Sequence, residues 1–465
     1  MKLPFFRKTG PDTTNRKIFR AAVIIGCLGL VAKLAATVKE LIIARSFGRG
    51  DEVDAFLIAF LLPSFILNIG MSALGYALVP VFVETRQKGG IEAAQRLFSS
   101  MMLLGCAVLL GVAAVLGLLA PLYLPLLGHS FSGAKLELTR ELLYLLLPWI
   151  IFSGIANLSS SVLNATEKFA LPALIPLLTP LVTIYLVTFH GHRWGIFTLA
   201  AGAVVGGSLE AALLLAFLKK QGMPLRLRWY GLDTHVRSVL AQYVPMLTGA
   251  ILMGSTAVVD QSMAAMLPSG NVAALGYGNK IIGGILSVGA LALSTATLPY
   301  FAQMVAAKDW AGCRHTIKRY SALVVAVTVP FTLLVIAFSG PLVKFLFQRG
   351  AFTAADTELV SSVQICYAVQ IPFFVWSMLF VRFITAVRRN DVLMYASAIN
   401  LVLDVILNLV LMRVWHVAGI ALSTSIVCIV SFLMLSIWSI RFLSQERLSS
   451  LPVVQPEASH SSPCA

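Results

Sequence analysis

VDAFLIAFLLPSFILNIGMSALGYALVPVFVE (Val53–Glu84) has a second copy in the same chain. Shifted by 219 positions, without a gap, it falls on VAALGYGNKIIGGILSVGALALSTATLPYFAQ (Val272–Gln303). Val53 meets Val272, Ala55 meets Ala274, and Ile66–Leu67 meets Ile285–Leu286. Further along, Gly70 meets Gly289, Leu74 Leu293, Ala77 Ala296, Pro80 Pro299 and Phe82 Phe301. Two apolar stretches agree at some positions by composition alone. Glycine and proline answer to backbone demands instead, so their coincidence marks an internal repeat.

The repeat sits in a chain that is apolar almost throughout. Of 465 residues, 58% are hydrophobic and 12% charged, with a mean hydropathy of +0.88. A soluble fold of this size has no way to hide so much apolar surface. Runs of membrane-spanning length occur near 18–47, 53–82, 97–124, 138–164, 170–190, 194–218, 238–267, 272–303, 320–347, 358–386, 391–412 and 417–440. The chain is expected to be an all-α polytopic membrane protein of about twelve transmembrane helices.

The repeat relates the second run to the eighth, so each half holds six spans. An even number keeps both copies in the same orientation. Two six-helix lobes are therefore expected, related by a pseudo-two-fold along the membrane normal, with a cavity between them suited to alternating access. The expected division is an N-terminal lobe 1–218, a basic linker 219–237 (KKQGMPLRLRWYGLDTHVR), a C-terminal lobe 238–442 and a tail 443–465.

The net charge of +15 does not call for nucleic acid. With the N-terminus inside, inner segments carry 23 Lys and Arg and outer loops 8, which is the positive-inside asymmetry. Both termini are then expected in the cytoplasm. The basic residues Lys2, Arg7, Lys8, Arg16, Lys17 and Arg20 precede a run that is long, contains charges and lacks a clear cleavage site, so it reads as a retained first span. The six cysteines include no C-x-x-C pair, which argues against a disulfide framework or thiolate metal site.

Charges inside the spans need a reason, since each costs about 2.5–3.5 kcal/mol at a helix centre. GLVAKLAATVKELIIARSFG (Gly29–Gly48) carries Lys33, Lys39 and Glu40. On a helical wheel Lys33, Thr37 and Glu40 share one face, with Lys39 about 120° away. They could pair across helices, or Lys39 could snorkel outward. Alternatively they line an aqueous cavity and meet an anionic group. Lys280, placed in the second repeat, favours the cavity.

Asp54 opens its span, where a carboxylate suits a helix N-terminus whether or not it has a further role. LPALIPLLTP (Leu171–Pro180) reads as a kinked span. Glu210 reads as a satisfied interior carboxylate and Arg382 as snorkelling, while His190, His192 and His416 lack metal-ligand spacing. AINLVLDVILNLVL places Asn400, Asp404 and Asn408 every four residues on one helix face, and Asp260 is a second carboxylate in the same half. Interhelical hydrogen bonding would explain the stripe. Two carboxylates without a basic neighbour would, however, need a proton or a hard cation such as sodium. No phosphate-cradling loop, nucleophile–base pair or large soluble domain is visible, so a gradient-driven transporter without a cofactor is expected rather than an enzyme.

Several stretches, taken together, resemble a known family across nearly the whole chain. They are ARSFGRGDEVDAFLIAFLLPSF with ALVPVFVE, then VLNATEKFALPALIPLL, YGNKIIGGILSVGALALSTATLPYF, LFQRGAFTAADT and NLVLDVILNLVLM…HVAGIALSTS. The chain resembles the MurJ/MviN lipid II flippases of the multidrug/oligosaccharidyl-lipid/polysaccharide exporter superfamily. The resemblance implies a multi-pass bacterial inner-membrane protein with a cationic cavity. It implies movement of polyprenyl-diphosphate-linked glycans to the outer leaflet, with the lipid, the membrane and envelope-synthesis proteins as partners.

The family's cavity arginines match Lys33, Lys39 and Lys280, and its required aspartate matches Asp54. Its sodium ligands match Asp260, Asn400, Asp404, Thr424 and the Ile420 carbonyl. Lysine keeps the charge but lacks the bidentate fork of arginine. The family's basic residues in span two align near Leu67 and Asn68 and have no counterpart here. No apolar run follows the twelfth, where family members usually carry two more helices. The expected substrate is a lipid II-like precursor or an exopolysaccharide unit. A multidrug cation antiporter would need an anionic or aromatic cavity, and a non-transporting scaffold would leave the charges in the spans unexplained.

Overall fold

The computed structural model describes residues 14–449 apart from 167 and 224–227. The N-terminal Lys2, Arg7 and Lys8 and the tail from 450 onward lie outside the described residues, as does part of the linker.

Apolar runs in a membrane must satisfy every backbone group internally, and helices do so. The elements are α1 (Thr14–Phe47), α2 (Asp51–Ile66), a π-helical turn (Leu67–Met71), α3 (Ser72–Leu127), α4 (Gly133–Ala165) and α5 (Ala170–Leu174). A 3-10 turn (Ile175–Leu177), α6 (Leu178–Trp194) and α7 (Phe197–Lys220) complete the first half. The second half holds α8 (Thr234–Ala264), α9 (Asn271–Ala306), α10 (Trp310–Ala337), α11 (Ser339–Phe347), α12 (Ala354–Ala368), α13 (Gln370–Ala386) and α14 (Asn390–Ser449).

Helices α3 and α14 are each broken once, at Gly90 (φ 73°) and at His416 (φ 49°). Counting each as two crossings, and joining α2 to the start of α3, α5 to α6, α10 to α11 and α12 to α13, the described residues make twelve crossings. The proline-rich stretch is a broken span: α5, the 3-10 turn and α6 follow one another with Pro172, Pro176 and Pro180 four residues apart.

Chain order and packing together give two groups of six crossings, with α8 packing on both. In the first, α4 is central, against α2, α3 and α7, with α6 on α7 and α1 on α5 and α6. In the second, α9 and α14 each pack on α12 and α13, while α8 lies on α14 and α10 on α13. Phe82, Phe98, Met101, Met102 and Ile150 fill the first core, and Phe301, Leu379, Phe380 and Phe383 fill the second. The outer surface stays apolar: Leu118 is 80% exposed, Phe189 71% and Phe345 70%. Such a surface is stable against lipid rather than water.

Two contacts locate the symmetry relation. Ala273 N donates to Asp54 Oδ1 at 2.8 Å, and these residues are 219 apart, the period of the repeat. One turn on, Leu57 faces Gly276, again its own repeat counterpart. Positions related by a two-fold touch each other only near its axis. The pseudo-two-fold therefore runs along the helices, between the starts of α2 and α9. Away from this end, the lobes also meet where α8 packs on α3: Val236 and Val239 of α8 are buried in the same cluster as Leu78 and Phe82. There Thr85 Oγ1 lies 3.1 Å from His235 Nδ1.

Helices α6 and α7 approach closely because Gly202 and Gly206 face Thr183 and Thr179. A Cβ on Gly206 would stand 2.5 Å from the Thr179 Cα. Glu210 secures the same seam, accepting from Thr179 N at 3.2 Å and Thr179 Oγ1 at 2.7 Å. Thr179 is thus the partner that sequence alone did not name for Glu210. Gly206→Ala should lower stability by roughly 1–3 kcal/mol through overpacking. Gly111→Ala, where a Cβ meets nothing within 4 Å, should leave stability unchanged or slightly raised. Thermal unfolding in detergent compares the two, and equal midpoints would contradict this packing.

Candidate functional site

Beneath the contact between α2 and α9 lies a cavity of about 1260 Å³. Its α1 wall presents Lys33, Thr37 and Glu40, the residues that helical periodicity places on one face. Its α9 wall presents Gly276, Asn279, Lys280, Gly283, Gly284 and Ser287. Nothing stands within 4 Å of a Cβ built on Gly284, so this side of α9 leaves room for a ligand beside the lysine. Tyr320, Leu323, Val327 and Phe331 of α10 make the far wall apolar. The cavity is therefore two-faced, with charge on α1 and α9 and hydrocarbon on α10.

The charges are arranged around Glu40. Lys280 Nζ lies 3.1 Å from Glu40 Oε1, and Lys39 Nζ 3.2 Å from the same oxygen. One carboxylate thus faces two ammonium groups. Lys33 stands apart, donating to Ser287 Oγ across the gap between α1 and α9. The Lys280 side chain is 53% exposed into this space. Three cations against one anion leave the site net positive, and two of the cations bridge α1 to the second lobe. Lys39 does not itself line the cavity; its place is beside Glu40. Ser287, Asn279 and Gln261 are polar lining residues that the sequence did not single out.

Asp54 is not a cavity residue. It is buried, 1% exposed, and accepts from Gly270 N at 2.6 Å, Ala273 N at 2.8 Å and Lys135 Nζ at 3.1 Å. Helix α9 has no side-chain cap of its own. Asp54 supplies one from the other lobe, satisfying donors that the first turn of a helix leaves free. Around it Tyr277 Oη donates to Gly48 O at 3.2 Å and Arg49 Nε to Asp356 Oδ1 at 2.9 Å. Ala351 N donates to Arg45 O at 2.9 Å. These contacts latch the two lobes at this end of the bundle, and the cavity begins directly below.

A second polar constellation lies inside the C-terminal lobe. Asp260 of α8 accepts from Asn408 Nδ2 at 2.7 Å and Thr424 Oγ1 at 3.1 Å, and Thr424 also reaches the Ile420 carbonyl at 3.2 Å. Asp404 lies beside Asp260, its Oδ1 3.4 Å from Ser423 Oγ. Among the described residues neither carboxylate has a basic partner. Asp404 Oδ2 and Asn408 Oδ1 are buried without a hydrogen-bond donor. A cluster of oxygens with two orphaned acceptors fits a hard cation or a shared proton.

Asn400, one helical turn from Asp404, donates from Nδ2 to Ser431 Oγ at 3.0 Å, and its Oδ1 is a third buried acceptor without a donor. Asn408, which was not among the expected ligands, is the stripe residue that contacts Asp260 directly. Arg382 is part-buried, with its Nε among the buried atoms without a partner.

Residues 43–451 match the family model described as lipid II flippase MurJ. The probable lipid II flippase MurJ of Vibrio cholerae serotype O1 is 23% identical over 427 residues, covering 89% of this chain and 81% of that protein. The solved structure of a lipid II flippase MurJ in an inward closed conformation superposes with a TM-score of 0.78 at 22% identity, covering 93% of this chain and 94% of that one. An inward-facing multidrug resistance MATE family transporter of the MOP superfamily gives 0.73 at 15% identity, with 92% and 100% covered. At these identities the two structural likenesses speak for the fold.

Proposed function

The chain belongs to the MurJ family, and on that premise we propose that it moves a polyprenyl-diphosphate-linked glycan between membrane leaflets by alternating access. It is a multi-pass protein of the bacterial inner membrane. The observation that carries the substrate reading is the cationic face of the cavity, where Lys33 and Lys280 stand on opposite walls beside an apolar α10. A diphosphate is a multivalent anion, and ammonium groups bind it as point charges. Glu40 holds Lys280 and Lys39 when no anion is present and is the group that a diphosphate would displace. A cationic drug would meet repulsion here, which disfavours the antiporter reading. By family membership lipid II is the first candidate glycan lipid, and lysine in place of arginine leaves the headgroup held by charge more than by directed hydrogen bonds.

In this reading the latched end of the bundle faces outward, and both termini are cytoplasmic, in keeping with the distribution of Lys and Arg. The cavity then lies closed to the outside. The acid cluster in the C-terminal lobe supplies the coupling site, for sodium or a proton. An ion drives a transporter only through its differential affinity for two conformations.

Lys33→Ala and Lys280→Ala should each lower flipping of lipid II in proteoliposomes at least about tenfold, the scale of one lost charge-assisted contact. Arginine at either position should retain activity. Normal flipping in both alanine variants would reject the cationic cavity as the substrate site.

Sodium should raise the thermal midpoint of the wild type. Asp404→Asn and Asn408→Ala should abolish that rise, with a weaker effect from Asn400→Ala. A response to pH with none to sodium would identify the proton as the coupling ion. Indifference to both would leave the cluster as interhelical packing.

A further inference from the structure

Lys135 has no place in the substrate cavity or in the acid cluster, yet it is one of the most buried cations among the described residues. Its side chain is 7% exposed. It sits in the first turn of α4, which is capped by Ser132. A positive charge there opposes the helix dipole, so local structure alone disfavours it. What holds it is tertiary. Its Nζ lies 2.6 Å from Asp51 Oδ1, 3.1 Å from Asp54 Oδ2 and 4.0 Å from the centre of the Phe131 ring. The preceding turn reaches across the lobe boundary, where Ser130 Oγ donates to Ala265 O.

We propose that Lys135 is the positioning residue that lets the latch close, neutralising Asp54 so that its carboxylate can be buried against the first turn of α9. Lys135, Asp51 and Asp54 are all in the N-terminal lobe and stay together when the lobes part. Gly270 and Ala273 are in the C-terminal lobe and are lost to Asp54 on opening. In the open state water reaches Asp54, so the carboxylate is solvated with or without a lysine. In the closed state water is excluded, and two backbone N–H groups offer dipoles but no full charge. Burying a carboxylate without a counter-charge is strongly unfavourable. Removing Lys135 therefore raises the energy of the closed state more than that of the open one. Asp51 does not suffer the same loss, because its side chain is 60% exposed.

Gly270 completes the device. It adopts a left-handed conformation (φ 82°), and a Cβ there would stand 2.8 Å from the Arg49 carbonyl. The approach of the two lobes is thus tight on the α9 side and electrostatically prepared on the α2 side. The proposal presupposes the two-state movement described above but is independent of which lipid is carried.

The test is a distance measurement between the lobes. Spin labels at Glu137 on α4 and Glu358 on α12, in a background lacking the native cysteines and in lipid nanodiscs, report closing of the latched end by electron–electron double resonance. Lys135→Met should raise the ratio of long to short distances at least about tenfold, creating an open population even if the wild type shows none. Lys135→Arg should keep the short distance. Asp54→Asn combined with Lys135→Met should return it in part, because no charge is then buried, although the amide accepts from only one of the two N–H groups. If Lys135→Met does not accumulate in the membrane while the double variant does, the same charge rescue is observed. An unchanged distribution in Lys135→Met, or a double variant that fails to recover closure or accumulation, would overturn the proposal. A failure of the substrate reading would appear in lipid flipping and leave these distances unaltered.

Discussion

A carboxylate from one lobe caps the first turn of a helix in the other, and the rest of the molecule is arranged around that contact. Helix α9 is capped by Gly270, which has no side chain to receive its free N–H groups. Left alone in a dry interface those donors would be costly. Asp54 accepts two of them, and the favourable charge at a helix N-terminus adds to the hydrogen bonds. Because Ala273 is the repeat counterpart of Asp54, the contact lies at the pseudo-two-fold. Small relative rotations of the lobes about a point near this axis would open the far end without large movement here. The cavity starts immediately below, at Leu57, Glu40 and Gly276, so the state of this latch decides whether it is sealed at one end.

Charge is segregated with respect to the lobes. Positive groups gather between them, on α1 and α9, and the unpaired carboxylates gather inside the C-terminal lobe, on α8 and α14. Helix α8 connects the two regions. Asp260 belongs to the acid cluster, while His235, Val236 and Val239 at the start of the same helix pack on the N-terminal lobe. A cation or proton that changes how α8 sits on α14 therefore acts on the seam between lobes through one continuous helix. That is a physical route for coupling, since it needs no chain of small displacements.

Much of this was legible in the residues. The repeat announced two similar halves because glycine and proline mark backbone requirements that survive when side chains diverge. The face formed by Lys33, Thr37 and Glu40 followed from helical geometry and does line the cavity. Other features depend on tertiary register and leave little trace. The partners of Asp54 are mostly backbone N–H groups, which any sequence supplies. Lys135 falls between the third and fourth apolar runs, and its partner Asp54 lies 81 residues away, so nothing local marks the pair. Asn400 and Asn408 occupy the same stripe, and nothing local tells which of them meets Asp260. Glu210 likewise needed the close approach of α6 and α7 to find Thr179.

A cavity with this cationic face is built to receive a diphosphate-linked lipid glycan. Native mass spectrometry of the protein purified from its own membrane tests this most directly, because it identifies what the cavity retains. The account predicts a bound polyprenyl-diphosphate saccharide that is retained by the wild type and absent from a Lys33→Ala, Lys280→Ala double variant. A wild type carrying only bulk phospholipid, or an organic cation, would contradict it.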